Sequence, residues 1–148
     1  MQSFVHTAKT WLLAQLLHPI FFLIGAAIWE GANFSIGDAG FFFFFLLLAM
    51  LFSLPAVFVL AFLLPGIVRL NQPGGHLFFF WILVTQFTLL INVACIFICL
   101  DREWPPAEAW LFASPAAVAA LSAVLIRRNA FYQLVSGYQI KNHEDNLV

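Results

Sequence analysis

From Phe41 to Val68 the chain runs for 28 residues, "FFFFFLLLAMLFSLPAVFVLAFLLPGIV", without one charged side chain. About 20 such residues suffice for a helix to cross the ~30 Å hydrocarbon core of a bilayer. This run constrains the fold more than any motif does, because its apolar surface must be kept from water. A soluble chain of this size still leaves roughly 30% of its unfolded surface exposed. Here 64% of the 148 residues are hydrophobic and 9% are charged, against about one quarter charged in soluble domains. A bilayer is the solvent that reconciles length with composition.

Three polar breaks divide the remaining apolar sequence: residues 30–40, 69–76 and 101–108. Pro73-Gly74-Gly75 is a turn signal, and Pro105-Pro106 can stop one helix and open the next. The spans are expected near 11–29, 41–68, 77–100 and 107–126. Lipid cannot satisfy exposed backbone groups and the pattern does not alternate as barrel strands do, so the spans must be helices. The first span exceeds the ~7–15-residue apolar region of a secretory leader and lacks a small-residue cleavage site, so it is expected to stay. The fold class expected is all-α: an integral membrane four-helix bundle.

Basic residues orient it. With the N-terminus cytoplasmic, Lys9, Arg69, Arg127, Arg128 and Lys141 lie inside and only Arg102 lies outside, as the positive-inside rule requires. Residues 1–10 then form a cytoplasmic N-terminus and 127–148 a cytoplasmic tail with both termini inside a cell membrane. Trp11, Trp29, Trp104 and Trp110 fall where interfacial aromatics sit. A net charge of −1 supplies no basic field for nucleic acid, and none is expected as a partner.

Polar residues inside the spans are the candidate functional sites. His18 lies ~10 Å along a helix that enters at Trp11, and ionisable groups at such depth mark function by default. Gln15 shares its face, and Pro19 frees the Gln15 carbonyl from its helical donor. On the third span Thr85 and Gln86 reach a similar depth, and Thr88, Asn92, Cys95 and Cys99 continue as one helical stripe. The two polar faces are expected to meet, within one chain or across a subunit boundary, as an intramembrane seam of Gln15, His18, Thr85, Gln86, Thr88 and Asn92. Pro19 and Pro55 are hinge candidates, Pro55 with Ser53 just before it.

The fourth span is rich in small residues. Ala113, Ala116, Ala117, Ala120 and Ala123 form a candidate packing interface, because small side chains let helix backbones approach. Helix 4 is expected to be central and the bulky helix 2 peripheral. In the tail, Phe131, Leu134, Val135 and Tyr138 recur at helical spacing, consistent with an amphipathic helix on the inner leaflet or a continuation of helix 4. Arg127 and Arg128 are candidate lipid head-group contacts worth about 1 kcal/mol each.

No HExxH, G-x-S-x-G or phosphate-cradling loop is present. Cys95 and Cys99 stand too far along their helix to share a tetrahedral metal ion with His18, so no metal or other cofactor is expected. The outer acids Asp101, Glu103 and Glu108 read as a solvated loop. The function expected is non-enzymatic: a multi-pass membrane protein that acts by assembly, either as an accessory or regulatory subunit of a membrane complex or as a self-associating membrane-active protein. Its partners are then the lipid bilayer and either further copies of itself or a larger membrane protein. The competing expectation is a homo-oligomeric channel or small-solute transporter lined by Gln15, His18, Gln86 and Asn92.

Overall fold

A computed structural model describes residues 2–30, 38–70, 72–101 and 107–145, with side chains for 2–25, 47, 49–70, 72–99 and 113–140. The described residues form five helices: α1 (Gln2–Glu30), α2 (Asp38–Val68), α3 (Gly74–Asp101), α4 (Ala107–Ile126) and α5 (Arg128–Asp145). No strand occurs among them. Three helices are long and apolar enough to cross a membrane, over Gln2–Gly25, Ala49–Val68 and Gly74–Cys99, and the apolar stretch Ala113–Ile126 of α4 is shorter.

Each of these helices contains one of the apolar segments, but α1 begins nine residues before Trp11. Its first turns are polar and nevertheless buried: Ser3, His6, Thr7 and Thr10 are all shielded from solvent. They are tolerated because two hydroxyls bond back along the helix. Thr7 Oγ1 donates to the Ser3 carbonyl at 3.1 Å, and Thr10 Oγ1 donates to that of His6 at 2.8 Å, so these polar groups carry their partners with them. The tight connection between α2 and α3 is closed by backbone bonds. The Pro73 carbonyl accepts from His76 N at 2.9 Å and from Leu77 N at 3.2 Å, which starts α3.

Packing order departs from the expected seam. The most extensive contact is between α1 and α4; α1 also packs on α2, and α3 packs on α2 and α4. Among the described residues α1 and α3 do not approach each other, and neither do α2 and α4. The polar faces of α1 and α3 therefore do not meet within one chain. Nor is α4 central with α2 peripheral, since each of the four long helices has two long neighbours. Ala119, Ala120 and Ala123 of α4 are buried, and small side chains let neighbouring helices approach closely.

The hydrophobic core gathers at the end that carries the α2–α3 turn. Leu64, Ile67 and Val68 of α2 meet Leu77, Phe78 and Trp81 of α3 and Val124 of α4. Helix α5 completes this core with Phe131, Leu134 and Val135, and it touches all four other helices. Its apolar stripe thus faces protein rather than lipid, and Tyr138 is partly buried against the same cluster. Phe131 is the centre: it stacks on Trp81 at 6.4 Å and meets Phe78 edge-on at 5.5 Å and His6 at 6.1 Å. The Ser3 Oγ and Tyr138 hydroxyls lie 3.0 Å apart and join the start of α1 to α5.

Candidate functional site

The side chains of Trp11, Gln15, Ser53 and Asn92 meet at one short stretch of α2, from Met50 to Pro55. Proline at position 55 has no N–H, so the Leu51 carbonyl loses its helical donor and the surrounding turn is loosened. The carbonyls on either side of Leu51 receive side-chain donors instead. Ser53 Oγ donates to the Met50 carbonyl at 3.0 Å, and Asn92 Nδ2 of α3 donates to the Phe52 carbonyl at 3.0 Å. Non-helical demands inside lipid are met this way, by neighbouring helices and serine hydroxyls.

Ser53 is the hub. Its hydroxyl accepts from Trp11 Nε1 at 2.9 Å and from Gln15 Nε2 at 2.9 Å, both on α1. Trp11 and Gln15 are four residues apart and share a helix face. With two donors accepted and one proton given, the Ser53 oxygen has no capacity left. Gln15 is only 7% exposed, and its Oε1 has no partner. The node is thus acceptor-rich and uncharged, built from α1, α2 and α3 with α2 in the middle.

The other residues of the expected seam are distributed differently. Thr85 is buried and spends its hydroxyl on the Trp81 carbonyl of its own helix at 2.8 Å. Gln86 reaches α4, where its Nε2 donates to the Ala117 carbonyl at 3.4 Å. Thr88 and His18 are half-buried and make no side-chain hydrogen bond among the described residues. Cys95 and Cys99 are free and exposed. Of the candidate packing residues, Ala113, Ala116 and Ala117 are half-buried while Ala120 and Ala123 are buried. The hinge candidates Pro19 and Pro55 both lie inside continuous helices. No group of three metal-ligating side chains occurs among the described residues. Side chains of Trp29, Trp104, Trp110, Lys141 and the outer acids lie outside the described residues.

Two members of the node escape a reading by depth and stripe. Trp11 reads as an interfacial aromatic, yet its indole N–H is a donor to α2. Ser53 reads as an accessory to a kink, yet it receives both α1 donors. The available signal was a serine two residues before a proline inside a charge-free run, facing a Trp-x-x-x-Gln pair. Comparison with family models, curated proteins and solved structures finds no match.

Proposed function

We propose that this chain is a multi-pass cell-membrane protein whose four helices α1–α4 span the bilayer as a bundle, with both termini cytoplasmic, and that it acts by assembly. Its role is that of an accessory or regulatory subunit of a larger membrane complex, or of a protein that associates with itself, and it performs no enzymatic step.

The observation that carries this reading is the division between inside and outside. Polar side chains of Trp11, Gln15, Ser53, Gln86 and Asn92 are spent on neighbouring helices. The outward faces are apolar, with Phe62 83%, Phe87 67% and Leu16 63% exposed. Soluble monomers rarely expose apolar patches beyond a few hundred Å². A surface of this kind offers only shape and apolar contact, which lipid tails and other spanning helices can use. Native mass spectrometry of the protein released from nanodiscs tests the reading: a defined homo-oligomer or a retained larger partner is expected, and a strictly monomeric, partner-free species overturns it.

One observation favours the alternative, an oligomeric channel or transporter lined by Gln15, His18, Gln86 and Asn92. Gln15 Oε1 is unpartnered and His18, one turn further on, is half-buried. Labelling of Cys95 and Cys99 by a water-soluble maleimide distinguishes the two readings. Rapid labelling supports a wet pathway, and protection supports a dry assembly.

A further inference from the structure

We propose that the joint between α4 and α5 binds the phosphate group of an anionic phospholipid, with Arg127 as its main contact and Arg128 as its second. The inference rests on the membrane placement above, which sets this joint at the inner boundary, and is independent of assembly.

Arg127 stands between the two helices with its backbone still in helical register. Its N–H donates to the Ala123 carbonyl at 3.1 Å, and its own carbonyl accepts from Phe131 N at 3.0 Å. The side chain is half-buried, and its Nε is buried without an acceptor. His6, buried against Phe131, feels the charge of Arg127 and offers no anion. A buried donor without an acceptor is unfavourable. An anion at this joint would supply the acceptor that the buried Arg127 Nε lacks.

Arg128 is held ready beside it. Its Nε donates to the Tyr132 hydroxyl at 3.1 Å. Its guanidinium carbon lies 5.7 Å from the Phe78 ring centre and 5.3 Å from that of Tyr132, a cation–π arrangement that orients the group without neutralising it. Phe78 belongs to the core and Tyr132 packs on it, so the anchor is rigid. Lys9 and Arg69 are exposed and fall on the same side of the bilayer in that placement. Guanidinium groups match phosphate oxygens in bidentate geometry, which ammonium groups cannot reproduce. At the inner boundary of a membrane, the abundant phosphate is the lipid head group, and basic pockets there select anionic lipids.

The test uses the full-length protein in nanodiscs of phosphatidylcholine with a minor fraction of phosphatidylglycerol, reading the lipids retained in native mass spectrometry. Wild type is expected to retain phosphatidylglycerol preferentially. Arg127→Gln should lower that preference about fivefold, and the double change with Arg128→Gln about 25-fold. Arg127→Lys keeps the net charge but not the fork, and should lose most of the preference; retention equal to wild type overturns the site. Absence of any preference in wild type overturns it without a variant. Displacement of the lipid by inorganic phosphate overturns the lipid as occupant. A protein that fails to enter the nanodisc overturns the membrane placement and the site with it, which separates the two failures.

Discussion

Replacing Ser53 with alanine removes one oxygen and leaves two α1 donors, Trp11 Nε1 and Gln15 Nε2, without their acceptor. Hydrogen bonds between helices in lipid average about 0.6 kcal/mol each, so the two together contribute about 1.2 kcal/mol. Alanine regains roughly 0.5 kcal/mol through its better helix propensity, and the net loss expected is about 0.7 kcal/mol. Because the two effects oppose, the single variant is a blunt instrument and a double-mutant cycle is the decisive measurement. The cycle pairs Ser53→Ala with Gln15→Leu, with unfolding followed in mixed micelles by circular dichroism. The coupling expected is about 0.6 kcal/mol. A coupling indistinguishable from zero would mean that α1 and α2 are held by packing alone and that the node is incidental to their order.

Further outcomes follow from the same geometry. Asn92→Leu should cost about 0.6 kcal/mol, with an upper limit near 1.7 kcal/mol, measured in the same micelle unfolding experiment; a stabilised variant would show that the Phe52 carbonyl does not need its donor. Ala123→Leu places a large side chain where none is exposed and should destabilise by about 1–3 kcal/mol through overpacking, read as a loss of the α1–α4 crosslink between engineered cysteines. Phe131→Ala empties the centre of the inner core and should cost about 3–5 kcal/mol. Because the α5 contact depends on that ring, amide exchange should rise first in residues 128–140, and uniform exchange along the chain would contradict the docking of α5.

The helices themselves were readable from the residues. A charge-free run of this length has one stable form in lipid, since every backbone group must be satisfied within the segment. The α2–α3 turn was legible too, because Pro73, Gly74 and Gly75 punctuate the pattern. What escaped was partnership. The stripe containing Thr85, Thr88 and Asn92 defines a face of α3, but a face does not name its neighbour. Asn92 went to α2 and Gln86 to α4, because α1 and α3 are separated by the helices between them. The buried start of α1 was hidden for a different reason: Ser3, Thr7 and Thr10 read as water-facing, yet Thr7 and Thr10 bond to their own helix and Ser3 meets Tyr138 of α5.

Sequence alone therefore determined that this chain makes long apolar helices, because the length and charge of each segment are local properties that the solvent judges directly. Tertiary structure decided which polar atoms are spent and on whom. It brought Trp11 and Gln15 to Ser53, turned the stripe of Phe131, Leu134 and Val135 inward onto the core, and left Arg127 Nε without an acceptor among the described residues. Those outcomes depend on the order in which helices stand beside one another. That order is set by the sum of many small contacts across residues distant in sequence, which no single segment encodes.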